Sequence, residues 1–143
     1  MFIKWFYKLF GNFQVLILKL SSGRFFANFR GMPILLLVTK GRVTGKKRIA
    51  PVMYIRDGEN YVVTASNNGF DDPPNWLLNL QADPQITIEV GGRKKDVTAK
   101  VADPQKKSIL WTKLVEKAPF FDGYRKNTSR EIPMVILQPT NGG

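Results

Sequence analysis

Two tight-turn signals constrain the fold of this chain more than any other feature of its sequence. Asp57-Gly58-Glu59-Asn60 and Gly91-Gly92 each lie between two runs of strand-forming residues. Short turns of this kind join neighbouring antiparallel strands, so each signal predicts a β-hairpin. With one apolar run before the hairpins and one after them, the pattern predicts six strands. They are expected at about residues 34–40, 48–56, 61–66, 85–90, 93–101 and 131–138.

Helices are expected between the strands. A short helix is predicted from about Asn75 to Gln81, and a longer one begins at Asp103-Pro104, where Asp is a good N-cap and Pro suits the first turn. The long helix is predicted to end near Lys117, and the aromatic segment 119–124 after it is predicted to be a loop. Hairpin-joined strands with intervening helices indicate an α+β fold, mainly β, in which the antiparallel sheet curls into a small barrel.

Residues 1–30 are predicted to form an amphipathic helical segment that precedes a barrel domain at residues 31–140. Within residues 1–20, apolar side chains recur at steps of three and four, which is typical of one helical stripe. The apolar run is too short and too charged to span a membrane. The stripe could pack on the barrel, or it could lie in a membrane interface with the lysines facing lipid headgroups. It consists of Phe2, Phe6, Leu9, Phe13, Leu16 and Leu20.

Positive charge is concentrated in the first third of the chain. The formal net charge is +11, and residues 1–50 contain ten Lys and Arg but no Asp or Glu. Such a region attracts nucleic acid, an anionic membrane or a polyanionic cofactor, although a basic solvated surface has the same composition. The absence of Cys and His excludes thiol nucleophiles, disulfides and Ser-His or Cys-His dyads. We expect a cytoplasmic protein, with peripheral contact at the inner face of the cell membrane if residues 1–20 meet lipid.

The most informative motif is Gly41-Arg42-Val43-Thr44-Gly45-Lys46-Lys47-Arg48, a predicted turn between the first two strands. It offers two glycines, a hydroxyl, free backbone N–H groups and four cationic side chains, which together suit a phosphate or a carboxylate. The motif is not a P-loop, because three residues instead of four separate its glycines and Lys46 is followed by Lys47 instead of Ser or Thr. Nucleotide hydrolysis is therefore not expected.

The remaining side chains supply little chemistry of their own. The carboxylates lie in turns or at element boundaries, so they form no acid–base pair and no metal cluster. Such a chain can still be an enzyme when a cofactor carries the reaction. Three segments could serve an aromatic, anionic cofactor: Ser66-Asn67-Asn68-Gly69, the helix start around Trp76, and the run from Phe120 to Tyr124. Their ordinary alternatives are a turn, a core tryptophan and a seal for the barrel end.

The order and spacing of these motifs resemble the deazaflavin-dependent nitroreductase family, whose members use coenzyme F420. The family pattern Gly-Arg-x-(Ser/Thr)-Gly-x-x-Arg-x-x-Pro is met from Gly41 to Pro51, and Pro-x-Trp-x-x-Asn is met from Pro74 to Asn79. The resemblance extends from about residue 34 to 139. It implies a six-stranded antiparallel split β-barrel with flanking helices, related to the pyridoxamine-phosphate-oxidase-like flavin-binding proteins. Further matches are Asp57-Gly58, Ala65-Ser66, Arg130, Ile132 and Pro133.

The resemblance implies an oxidoreductase that transfers a hydride from reduced F420 to an apolar acceptor such as a quinone or a nitroaromatic. The cofactor's phosphate and oligoglutamate tail would lie near the Gly41–Arg48 turn, with the ring along the 66–68 and 75–79 segments. The implied cofactor-binding residues are Arg42, Val43, Thr44, Gly45, Arg48, Ile49, Ala65, Ser66, Asn67, Asn68, Asn75, Trp76, Leu77, Leu78 and Asn79. The implied acceptor-side residues are Met53, Phe121 and Tyr124, and the implied catalytic hydrogen-bond donors are Tyr124 and Ser66. Some family members carry Lys where this chain has Val43 and Asn67.

Two alternatives keep the same barrel. One is an FMN-binding split-barrel oxidoreductase, and the other is a non-enzymatic carrier of a lipid-like ligand. Nucleic-acid binding is disfavoured, because the aromatic residues lie mostly at core or stripe positions and not on an exposed stacking surface. No metal is expected, and the chain could be a monomer or a homodimer.

Overall fold

A computed structural model describes residues 28–29, 31–67, 72–126, 128 and 130–140. The predicted amphipathic helix of residues 1–20 lies outside the described residues, and so does Asn68 of the implied site. Over the described part of the chain, the elements are β1 (Asn28–Phe29), β2 (Met32–Lys40), β3 (Lys47–Asp57), β4 (Asn60–Thr64), α1 (Asn75–Ala82), β5 (Gln85–Val90), β6 (Arg93–Val101), α2 (Pro104–Lys117), α3 (Phe120–Lys126) and β7 (Met134–Pro139). The six predicted strands correspond to β2 through β7.

The strands form one antiparallel sheet that closes on itself. Their order is β1-β2-β3-β4-β7-β6-β5, and β2 also pairs with β5, so β2 to β7 make a six-stranded barrel. Leu37 shows the closure directly, because it lies opposite Ala50 of β3 and opposite Ile88 of β5. The β2–β5 seam is short, since it joins only the stretch from Leu36 to Val38 to its partners. The predicted barrel is confirmed.

Side chains that alternate along the strands fill the barrel. In β2, Leu35 and Leu37 belong to the interior cluster, whereas Ile34 and Leu36 pack on the outer face. Two leucines of α1 also contribute to this interior. Burying each large aliphatic side chain stabilises the fold by about 1.5–3 kcal/mol. The buried members of the interior cluster are Leu35, Leu37, Tyr61, Val63, Ala65, Leu77, Leu80, Ile86, Ile88, Val97, Ala99, Val135 and Leu137.

A second apolar cluster lies outside the barrel, where α2 and α3 cover β3, β4 and β7. Helix α2 begins as predicted, because Asp103 Oδ1 accepts a hydrogen bond of 2.8 Å from the backbone N–H of Lys106. Its apolar face buries Leu110 and Leu114. The buried members of this outer cluster are Met32, Ile55, Val62, Leu110, Trp111, Leu114, Ala118, Phe121, Ile132 and Met134.

The aromatic segment 119–124, predicted as a loop, is helical over most of its length. Pro119 and Gly123 are turn signals, which favoured a loop. Tertiary packing overrides them, since Phe121 is buried in the outer cluster and Phe121 and Tyr124 are one helical turn apart. Asp122 also pairs with Arg125 at 2.6 Å along the same helix. The segment therefore belongs to α3, which is held against α2.

The last strand begins at Met134 and not at Glu131 as predicted. Pro133 has no backbone N–H to donate to a ladder, but its carbonyl accepts a hydrogen bond of 2.9 Å from the backbone N–H of Ala65. The segment before β7 thus contacts the end of β4 without being part of the regular strand.

Candidate functional site

The turn between β2 and β3 carries five cations, Lys40, Arg42, Lys46, Lys47 and Arg48, and is called the cation loop (residues 40–48) below. Two backbone hydrogen bonds of 2.8 Å close it, from Gly41 N to the Lys46 carbonyl and from Gly45 N to the Gly41 carbonyl. Gly45 has φ +73°, a conformation that L side chains rarely adopt, and a Cβ on Gly41 would lie 3.1 Å from Thr44 Oγ1. The positive φ makes glycine the favoured residue at position 45, and a side chain at position 41 would require Thr44 or Lys46 to shift by a few tenths of an ångström.

The Thr44 hydroxyl organises the inside of the cation loop. Its Oγ1 accepts a hydrogen bond of 3.2 Å from the Lys46 backbone N–H and one of 3.5 Å from Arg48 Nη2. The Arg48 guanidinium is thereby directed towards the turn, although its side chain is exposed.

The cation loop is an unneutralised positive site. Its five cationic side chains are exposed, and none of them forms a salt bridge with an acidic group of the described residues. The backbone N–H groups of Val43 and Thr44 also have no hydrogen-bond acceptor within the described part of the chain. Fixed N–H groups beside exposed Arg and Lys are suited to a phosphate or carboxylate.

Asn79 of α1 links this loop to the rest of the barrel. Its side chain is only 4% exposed. Asn79 Oδ1 accepts hydrogen bonds of 3.1 Å from the backbone N and from Nη1 of Arg42, while its Nδ2 donates to Thr39 Oγ1 at 3.3 Å. Thr39 did not stand out in the sequence. The available signal was a hydroxyl at an inward-facing position of an apolar strand, which must find a partner when buried.

The end of β4 holds the second group of implied site residues. Arg130 Nη2 donates hydrogen bonds of 2.9 Å to the carbonyls of both Ala65 and Ser66. Ser66 is 8% exposed. Asn67 has φ +46°, and its Nδ2 donates to the Asp72 carbonyl at 2.8 Å. The strand end is thus fixed from both sides, and Arg130 is a supporting residue that the sequence singled out only as part of a family match.

Helix α1 contributes residues of three kinds. Leu77 is buried in the interior cluster, and Trp76 packs against that cluster while remaining half-buried. Asn75 is exposed at the first turn, and Leu78 is half-buried. Leu77, like Ala65, is therefore available to a ligand only as part of a wall or through its backbone.

The three implied acceptor-side residues meet in the outer cluster. Met53 and Tyr124 are half-buried there and Phe121 is buried. The Phe121 and Tyr124 rings pack edge to face with centroids 5.5 Å apart, and Phe120 stacks on Phe121 at 4.9 Å. These contacts form one aromatic surface beside Met53.

Strand β3 connects the cation loop with that aromatic surface. Ile49 and Met53 lie on the same outer face, where both pack against Ile34 and Leu36. Four strand residues span about 14 Å, so the face reaches from the cation loop to the edge of the outer cluster. No hydrogen bond joins Ser66 and Tyr124, the two implied catalytic residues, within the described part of the chain.

A depression of about 330 Å³ lies beside the cation loop and includes Lys47 in its lining. Two lysines and two carboxylates line it, so the depression has no net charge of its own, although neither of these carboxylates forms a salt bridge with Lys47. The lining consists of Val38, Lys47, Thr87, Glu89, Lys94 and Asp96.

Two shifted pKa values belong to the far half of β3. Hydrogen bonding to Lys106, with Lys113 also nearby, holds the pKa of the Asp57 carboxyl below its ordinary value. Burial, reinforced by Tyr61, raises the pKa of the Tyr54 hydroxyl.

Within the described ranges, no group of three or more His, Asp or Glu side chains could hold a metal ion. None of the described helices is long and apolar enough to cross a membrane.

Comparison with known sequences points to one family. A family model described as F420H(2)-dependent quinone reductase matches residues 12–139. A Mycobacterium tuberculosis protein with that name, provisionally qualified, is 38% identical over 114 residues, which cover 79% of this chain and 96% of the relative. An F420H(2)-dependent quinone reductase of the same species is 39% identical over 108 residues, covering 73% of this chain and 72% of the relative.

Solved structures with the same fold include an F420-dependent enzyme. An F420-H2 dependent reductase superposes with a TM-score of 0.68 and 32% identity, covering 74% of this chain and 94% of that one. A chain described as a domain-swapped dimer has a TM-score of 0.70 and 27% identity, covering 96% of this chain and all of that one. A Listeria innocua chain provisionally named as a pyridoxamine 5'-phosphate oxidase, with a TM-score of 0.55 and 10% identity, covers 76% of this chain and 84% of its own and shows the fold alone.

Proposed function

Because the chain belongs to the F420H(2)-dependent quinone reductase family, we propose that it transfers a hydride from reduced F420 to an apolar acceptor of the quinone class. The observation that carries this proposal is the cation loop, whose five cations have no acidic partner in the described part of the chain. When bound, reduced F420 would supply the hydride, and the protein would supply binding and orientation.

The residues of the cation loop fit an anionic tail. Arg42 and Arg48 offer guanidinium donors, Thr44 offers a hydroxyl, and the backbone N–H groups of Val43 and Thr44 are open to an acceptor. Gly45 gives the turn the positive φ that brings these groups together. We assign the phosphate and carboxylates of the cofactor to this loop.

The ring is assigned to the surface between the loop, the end of β4 and the start of α1. Ser66 and Asn67 present polar groups at the strand end, and Asn75 and Trp76 present an amide and an aromatic face. Backbone and wall contacts would complete the ring site, with Asn68 also assigned to it although it lies outside the described residues. The wall residues are Ile49, Ala65, Leu77 and Leu78.

The acceptor is assigned to the aromatic surface of the outer cluster. Met53 would offer apolar contact, the buried Phe121 would support this surface from within the cluster, and the Tyr124 hydroxyl would donate a hydrogen bond to an acceptor oxygen, with Ser66 as a second donor. Such donors stabilise negative charge that develops on the oxygen as the hydride arrives.

Titration of the protein with both redox forms of F420 and with FMN tests the proposal. We expect F420 to bind, and Arg48→Ala to weaken it about tenfold, as removal of one hydrogen bond to a charged group does. Lys94→Ala is the matched control, because Lys94 is an exposed cation outside the cation loop, and it should change the Kd less than twofold. A wild-type protein that binds neither form of F420 would overturn the proposal. Preferential FMN uptake, or a co-purifying acyl chain without cofactor uptake, would favour the alternatives.

We also propose that residues 1–20 contact the inner face of the cell membrane peripherally. The sequence pattern supports this, because it predicts a helical stripe of Phe and Leu with basic residues mostly on another face, and such segments bind anionic interfaces. Pelleting with liposomes that contain anionic lipid should retain the full chain and release a chain lacking residues 1–20. Equal pelleting of both would contradict the proposal.

A homodimer is our proposal for the assembly. The solved relative described as a domain-swapped dimer, at 27% identity and covering 96% of this chain, supports it. Sedimentation at several protein concentrations should give a species with twice the chain mass of 16.3 kDa. A single species with the mass of one chain at every concentration would refute the proposal.

A further inference from the structure

The Asn79 carboxamide uses three of its four hydrogen-bonding positions inside the protein. Its oxygen accepts two hydrogen bonds of 3.1 Å from Arg42, one from the backbone and one from the guanidinium. Its nitrogen donates to Thr39 Oγ1 at 3.3 Å, and both Asn79 and Thr39 are 4% exposed. A buried amide with this set of partners has little capacity left for a ligand.

The consequence falls on Arg42. Its side chain is exposed, yet its backbone N–H and one guanidinium nitrogen are held by the same buried oxygen. A guanidinium is planar with five N–H donors, so the bond at Nη1 restricts the directions in which the remaining donors can point. An anion that meets them finds the donors already oriented, which reduces the side-chain entropy lost on binding.

We propose that Asn79 is a positioning residue: as a neutral acceptor it sets the orientation of Arg42 and leaves the positive charge of Arg42 available, and thereby sets the preference of the site for a ligand with an anionic tail. It does so without contacting the cofactor ring, which differs from the role that the family resemblance implies for it. The inference rests on the proposed function, and it predicts that Asn79 acts on tail recognition and not on ring recognition. Asn79→Asp tests the neutrality of this acceptor, and Thr39→Val tests its orientation.

Asn79→Asp tests this with almost no change in shape. An Asp oxygen still accepts both bonds from Arg42, and the Thr39 hydroxyl can donate to the other oxygen, so the fold should be retained. The new carboxylate forms an ion pair with Arg42 and competes with any incoming anion for its positive charge. Gln81→Glu is the matched control, because it adds the same charge to an exposed position of the same helix.

The measurement is the Kd of each variant for two ligands: F420, and a deazaflavin riboside that lacks the phosphate and the glutamates. We expect Asn79→Asp to raise the Kd for F420 about 10- to 100-fold, the range for a hydrogen bond to a charged group. The Kd for the riboside should stay within about twofold of the wild-type value. Gln81→Glu should leave the ratio of the two affinities within about twofold of the wild type. Thr39→Val, which frees the amide to rotate, should lower F420 affinity by a smaller factor than Asn79→Asp.

The outcomes separate this inference from the proposed function. If Asn79→Asp weakens both ligands equally, or neither, the positioning role is wrong while F420 binding stands. If Gln81→Glu reduces the ratio as much as Asn79→Asp, added charge on α1 explains the effect and the inference fails. If the wild type binds neither ligand, the proposed function fails and takes this inference with it. Thermal melting of each variant confirms that it is folded.

Discussion

The basic residues of the cation loop and those of helices α2 and α3 have opposite relations to acidic groups. In the helices, Lys106 and Lys113 contact Asp57, and Arg125 contacts Asp122. In the loop, five cations within nine residues contact no acid of the described chain. The same residue types therefore tie elements together in one region and remain available to an external anion in the other.

The energetic difference between the two regions is one of repulsion. Exposed ion pairs such as those of α2 contribute about 0–1 kcal/mol each, which is modest but favourable. Crowded like charges in the loop disfavour the compact turn by amounts that salt reduces. Two glycines, the Thr44 hydroxyl and Asn79 hold the turn in spite of this. This arrangement is why we propose an anion as the neutralising partner of the loop.

Charge reversal should give the largest contrast. Arg48→Glu removes a hydrogen-bond donor and adds repulsion of the anionic tail. F420 affinity should therefore fall about 100-fold, which corresponds to the loss of two hydrogen bonds to charged groups. Lys113→Glu in α2 should leave the Kd within twofold and lower only the melting temperature. Fluorescence titration of both variants checks this, and equal losses of affinity would show that net charge, not the loop, sets binding.

Replacing a glycine in each region should give the second-largest contrast between them. Gly45→Ala forces a Cβ into a φ of +73° and should destabilise the fold by about 1–2 kcal/mol. Gly123→Ala is the control in α3, where a Cβ meets open space, and it should be neutral or stabilising by up to about 1 kcal/mol. Urea unfolding measures both, and a neutral Gly45→Ala would mean that the loop does not need its left-handed residue.

Adding a cation should give a smaller effect of opposite sign. Val43 is 86% exposed at the tip of the loop, so Val43→Lys introduces charge without loss of packing. F420 affinity should rise about two- to fivefold, the range for an exposed pair. Thr112→Lys on the exposed face of α2 serves as the control and should have no effect on the Kd. A Val43→Lys variant that binds no better would indicate that the tail passes the loop on another side.

The smallest effect concerns pH. The pKa of Asp57 is lowered by its bond with Lys106, so its contribution to stability is present above the ordinary Asp pKa of about 3.9 and is lost as pH falls through the lowered value. The difference in unfolding free energy between wild type and Asp57→Asn should be constant from about pH 5 to 7 and shrink below pH 4. A difference that persists at pH 2 would contradict the ion-pair explanation.

Most of the fold could be predicted from local patterns in the sequence. The Asp57-Gly58 and Gly91-Gly92 turns and the Asp103 cap depend on neighbours in the chain, and each is found where expected. Helix α3 was missed because its stability comes from packing onto α2, which no local signal reports. The bonds from Asn79 to Arg42 and Thr39 join residues 37 and 40 positions apart, so their roles became visible only in the folded chain.

The hydrogen bonds from Arg130 to the carbonyls of Ala65 and Ser66 have a consequence for the order in which parts of the chain fold. These bonds join residues 64 and 65 positions apart, whereas the cation loop closes within a single hairpin. Contacts distant in sequence form more slowly, because the entropy of a long loop must be lost first. We therefore expect the cation loop to form early in folding, and the strand end that bears Ser66 to be completed only after the segment around Arg130 is in place.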